Sequence, residues 1–138
     1  MRKNNRFKAS GPLCVVFLFC GLFASSGIHA ADNPVSYRYL SASGQDIRLE
    51  IVVAAPSPAS LIVSQVLPDR ILLEQSNPRF QKYNPAQGEV SWLFTDLRPG
   101  SYQLSMRLAT PVAQGRLRGE IRYKDPGSGR MVQLPTIP

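Results

Sequence analysis

No histidine and no cysteine occurs after residue 30. The chain has one His and two Cys in its 138 residues, and His29, Cys14 and Cys20 all lie before that point. A Ser-His-Asp triad, a cysteine nucleophile and a His or Cys zinc site are therefore excluded from everything that follows. No disulfide is open to that part of the chain either. There is no sustained 3.6-residue period, no low-complexity tract, no clear internal repeat and no Gly-rich phosphate loop ahead of a helix. The expectation is a protein with no catalytic residues, no metal site and no cofactor, and so not an enzyme.

What is present begins with an address. Arg2, Lys3, Arg6 and Lys8 precede an apolar run from Pro12 to Ala24, and Ser25 to Ala31 are mostly small residues. That order is the n-region, h-region and cleavage site of a secretory signal peptide. The run is shorter than the ~20 apolar residues a membrane span needs. Phe19 stands before Cys20, where a lipid-attachment site wants a small residue. We expect cleavage after Ala30, giving a signal peptide at 1–30 and one domain at 31–138, with no transmembrane helix after cleavage; retention as an N-terminal anchor is the alternative. The protein is then periplasmic, or secreted to the surface of a bacterium.

Removing that segment changes the charge. The whole chain has sixteen Lys+Arg and nine Asp+Glu, net +7. Four of the basic residues and none of the acids fall in the first thirty positions, which leaves twelve against nine, net +3. Most of the basicity is targeting, and nucleic acid is not an expected partner.

The rest of the chain reads in twos. Val35 to Leu40 is a short strand, and Ile47, Leu49, Ile51 and Val53 alternate with Arg48, Glu50 and Val52. Leu61 to Leu67 is a β-branched run, Ile71 to Leu73 a short strand, and Val90, Trp92 and Phe94 alternate with Ser91, Leu93 and Thr95. Tyr102 to Leu108, Leu117 to Tyr123 and Met131 to Leu134 complete the set. Prolines and glycines punctuate the strands at Pro56, Pro58, Pro68, Pro111, Gly115 and Asp125 to Gly129. Seven or eight short strands so spaced indicate an all-β sandwich or a small barrel, and a sandwich of Greek-key type is expected. Residues 74–88, with two Asn-Pro pairs and no periodicity, read as the longest connection.

The chain turns about Leu97, Pro99, Gly100 and Tyr102. Pro99 fixes φ, Gly100 tolerates unusual φ, and alternating residues flank the pair. Tyr102 just past such a turn predicts a tyrosine corner, its ring inside and its hydroxyl bonded back to the turn. Leu97-x-Pro99-Gly100-x-Tyr102 resembles the corner between strands E and F of fibronectin type III and other immunoglobulin-like modules. Val63-x-x-Val66-Leu67-Pro68, then Gly88-x-Val90-x-Trp92, then Leu97-x-Pro99-Gly100, is similar to an immunoglobulin-like repeat of unknown function common in bacterial surface proteins. The resemblance implies a single immunoglobulin-like sandwich and names no activity.

Candidate contacts are few. Arg79, Phe80, Lys82 and Tyr83 bring to the 74–88 segment the arginine and aromatic character of interface hot spots. Arg116, Arg118, Arg122 and Lys124 repeat along one strand face, interrupted by Glu120, as a ladder for phosphate or carboxylate groups. That ladder would suit an acidic envelope polysaccharide or lipid. Trp92, between Val90 and Phe94, reads as core. An acid pair such as Glu89 with Asp96 spans a strand too long for glycoside hydrolysis. Asp125-Pro-Gly-Ser-Gly129 has one acid and reads as a turn rather than a calcium loop. The leading expectation is an exported non-enzymatic binding or assembly module with a protein or acidic-glycan partner. Behind it stand a structural accessory subunit that adds an edge strand to an envelope or secretion complex, and then a small inhibitor or hydrolase.

Overall fold

Alternation of apolar and polar residues builds nine strands, in a computed structural model that describes residues 33–68 and 71–138. Ala31–Pro138 forms one compact unit. The signal peptide expected at 1–30 lies outside the described residues. No helix among the described residues is long and apolar enough to cross a membrane.

The strands are β1 (Val35–Ser41), β2 (Gly44–Val53), β3 (Ser60–Val66), β4 (Leu73–Asn77), β5 (Lys82–Asn84), β6 (Glu89–Thr95), β7 (Gly100–Val112), β8 (Arg118–Lys124) and β9 (Met131–Thr136). They form two antiparallel sheets, one ordered β1-β2-β7-β4 and the other β5-β6-β3-β8-β9. Ile47, Leu49 and Ile51 of β2 and Leu104, Met106 and Leu108 of β7 are buried in the first sheet. Leu61 and Val63 of β3, Val90 and Trp92 of β6, and Ile121 and Tyr123 of β8 are buried in the second, and all belong to one cluster. A period of two sends alternate side chains to opposite faces, so these residues fill the sandwich and their neighbours face outward.

The Pro99-Gly100 turn is a corner between sheets. β6 pairs with β3 and β5, β7 pairs with β2 and β4, and the two strands do not pair with each other. Tyr102 accepts a hydrogen bond from the Arg98 N–H at 2.9 Å and donates one to the Arg98 carbonyl at 3.0 Å. Its half-buried ring packs on the core edge-on to Phe94, 6.2 Å away. Gly100 has the expected positive φ, 154°, and Asp96 at this corner is left-handed, with φ 54°. Asp tolerates that conformation because its short polar side chain can bond locally.

The segment 74–88 is not one long connection. β4 occupies its start and β5 its middle, so the chain crosses from one sheet to the other in the four residues 78–81 and turns back through 85–88. The strand expected at Ile71 to Leu73 instead begins at Leu73, and the sandwich has nine strands rather than seven or eight. Both elements are short edge strands. Glu74, Gln75 and Asn77 are exposed, so β4 never displays the alternation that a central strand must have.

Two polar clusters were not foreseen. Gln65 and Thr136 are fully buried, with the Gln65 amide donating to Thr136 Oγ1 at 2.9 Å and Tyr39 donating to Gln65 Oε1 at 3.0 Å. Beside them Tyr37 donates to the Pro135 carbonyl at 2.7 Å. These bonds tie β1, an edge of one sheet, to β9, an edge of the other.

Candidate functional site

The crossover at 78–81 is anchored from within. Trp92 is fully buried, and its indole N–H donates to the Pro78 carbonyl at 3.1 Å and to Ser76 Oγ at 3.4 Å. Ser76 donates to the same carbonyl at 2.9 Å. A buried indole N–H needs an acceptor, and here the acceptor is the backbone of the segment being held. Tyr83 points inward and its hydroxyl accepts the Leu73 N–H at 3.1 Å, while the Gln81 N–H donates to the Ser91 carbonyl at 2.8 Å. Phe80 packs on Tyr83 with ring centroids 5.7 Å apart and remains 42% exposed. Arg79 and Lys82 are exposed and make no ion pair among the described residues. The four residues picked out in the sequence therefore divide: Tyr83 is a clamp, and Phe80, Arg79 and Lys82 face solvent around it.

The basic row is less uniform than its spacing implies. Arg122 pairs with Glu120 at 3.0 Å, and Glu120 also accepts from Gln133. Arg118 turns back and donates to the Gly115 and Leu117 carbonyls, each at 2.7 Å. Arg116 precedes β8 and is itself engaged. The outward neighbours of Arg122 are Ile62 on β3 and Gln133 on β9, so the face is mixed rather than a stripe of like charge.

The acidic candidates have local roles. Glu89 opens β6 and Asp96 lies just beyond its end. At about 3.3 Å per residue they stand roughly 23 Å apart, far beyond the separation that glycoside hydrolysis uses. Asp125 accepts from the Ser128 N–H at 2.6 Å and from Ser128 Oγ at 2.8 Å. Those bonds, the backbone one foremost, hold its carboxyl below the ordinary Asp range. It closes the turn from β8 to β9.

The outer face of the β1-β2-β7-β4 sheet holds a groove that strand-by-strand reading passes over. It is an open groove of about 450 Å³ across β2, β7 and β4, with Asp46, Arg48, Gln75, Asn77, Gln103 and Arg107 among its lining. Arg107 reaches Asp46 at 3.4 Å and Glu74 at 3.7 Å, and Arg38 pairs with Glu50 nearby. Arg48 has neither an ion pair nor a hydrogen bond among the described residues.

No family model and no curated protein matches the chain. Among solved structures it is similar to the reeler domain of human F-spondin (fragment 1). The two share 13% identity and a TM-score of 0.40, with 74% of this chain and 88% of that chain covered.

Proposed function

We propose that this chain is an exported, non-enzymatic binding module of the bacterial envelope or surface. It takes a protein partner on the 78–83 crossover. One observation carries the reading: an exposed aromatic and two unpaired cations sit on a segment that the core tryptophan holds by its backbone. Fixing such a segment in advance lowers the ordering cost of association, and aromatic and arginine side chains are the usual anchors of interfaces. The basic row of Arg116, Arg118 and Arg122 lends itself less to this role, because its members are already engaged.

An immunoglobulin-like ancestry is part of the proposal. The order β1-β2-β7-β4 parallels A-B-E-D, and β3-β8-β9 parallels C-F-G. On that correspondence β5 and β6 are an additional pair on the free edge of the C strand. They stand after D in the sequence, where variable-type domains insert theirs before it. Tyr102 then belongs to the E strand, one connection earlier than the E-to-F corner that its motif resembles.

The test is a pair of alanine variants read for both stability and partner capture from an envelope extract. Phe80→Ala should keep the melting temperature and lose the partner. Tyr83→Ala should melt earlier, because Leu73 N–H loses its acceptor. A Phe80→Ala protein that melts early yet still captures the same partner makes Phe80 a cap on the core and overturns the reading. Export predicts an intact mass beginning at Ala31, or at Asp32 if cleavage falls one residue later.

A further inference from the structure

The groove on the outer sheet face owes its shape to two irregularities. β2 shifts register against β7 between Gly44 and Asp46, and β4 shifts against the same strand between Leu73 and Gln75. Bulges increase local twist and re-aim side chains, and they gather beside functional sites. Between them three outward rows cross the sheet: Asp46–Arg107–Gln75, then Arg48–Ser105–Asn77, then Glu50–Gln103. Two steps of two residues make the floor about 14 Å long. Its volume falls within the range of small-ligand sites, roughly 300–1,000 Å³.

The chemistry of the lining is specific. Arg38 pairs with Glu50, and Arg107 with Asp46 and Glu74, so of these three arginines Arg48 in the middle row alone has no carboxylate partner among the described residues. The side-chain amides of Gln75, Asn77 and Gln103 around it have no partner among the described residues, and each both donates and accepts. None of the exposed large hydrophobic side chains belongs to this lining. A peptide would find no apolar pocket here. A ligand rich in hydroxyls would find matched donors and acceptors, and a guanidinium is suited to a carboxylate by its planar fork.

We infer that this groove is a binding site for an acidic saccharide, with Arg48 taking the carboxylate and the Gln75, Asn77 and Gln103 amides the ring hydroxyls. The site is separate from the 78–83 crossover and stands without it. Titration of the protein with a galacturonate trimer, followed by calorimetry and by backbone amide shifts, tests it, with maltotriose and triglutamate as comparisons. The trimer should bind, its shifts confined to β2, β7 and β4. Arg48→Gln should weaken it roughly tenfold to a hundredfold, while Arg122→Gln on the other sheet leaves it unchanged. Arg48 is exposed, so its variant should melt as the parent does; Gln103→Ala, weakening the trimer and maltotriose alike, checks the amide contribution separately. Undiminished affinity in Arg48→Gln, tighter binding of triglutamate, shifts centred on β8, or no binding of the trimer would each overturn the assignment.

Discussion

Tyr102 and Tyr123 carry the same hydroxyl into opposite surroundings. The first bonds both the N–H and the carbonyl of Arg98. The second is 1% exposed, and its oxygen has no partner among the described residues. A hydrogen bond contributes about 0.5–1.5 kcal/mol net, whereas a buried polar atom left unpaired costs about 1–3 kcal/mol. Tyr102→Phe should therefore lower stability by about 1 kcal/mol in urea unfolding. Tyr123→Phe should leave it unchanged or raise it by a similar amount. Equal losses from both would mean that the Tyr123 hydroxyl is bonded after all. Residue type was legible at both sites, because each tyrosine lies on an apolar alternation; whether its oxygen found a partner depended on chain far away in sequence.

At the scale of elements, β8 shows what alternation conceals. Ile121 and Tyr123 mark its inner face, Leu117 just before it is buried with them, and Gly119 sits among them without a side chain. A Cβ there would stand 2.7 Å from both Gln65 Nε2 and Thr136 Oγ1 and would collide with the Ser64 carbonyl. The vacancy is filled by the Gln65 and Thr136 pair reaching in from β3 and β9. Gly119→Ala should cost at least the ~1–3 kcal/mol typical of overpacking, read as an earlier thermal midpoint. Gly127→Ala, in the following turn with only Asp125 Oδ1 at 3.4 Å, should cost little. β4 and β5 were illegible for a different reason. An edge strand buries little of itself, so nothing obliges its sequence to alternate.

For the whole molecule, charge predicts the pH range of stability. Glu50 lies below its ordinary value because Ser101 donates to it at 2.8 Å and Arg38 pairs with it, and Asp125 is held down by Ser128. A carboxyl lowered on folding leaves the unfolded chain holding more protons just below its ordinary pKa. Stability is then complete above about pH 4–4.5 and declines as pH falls through the folded-state values. Tyr39 and Tyr123 move the other way, raised chiefly by burial. Their contribution is complete below about pH 10 and is lost as pH rises through the folded-state values. A melting-temperature profile should be flat between these limits and fall on both sides. Glu50→Gln should flatten the acid limb, and an acid limb unaltered by that change would remove Glu50 from the account.

The sequence by itself determined the all-β class, the inner faces of β2, β6, β7 and β8, and the placing of Trp92 in the core. Each follows from local period and punctuation, which neighbours in the chain fix between them. The partner of the Trp92 indole, the Gln65–Thr136 pair that fills the space over Gly119, and the sheet to which β6 and β7 each belong were decided only by tertiary structure. So was the solitude of Arg48. On the chain it is one cation in an alternating strand. It becomes the unpaired guanidinium of a groove only when β7 and β4 bring Arg107 to Asp46 and Glu74 and leave Arg48 beside amides. Ion pairing and cavity shape arise between strands that meet from distant parts of the sequence, and no local pattern encodes them.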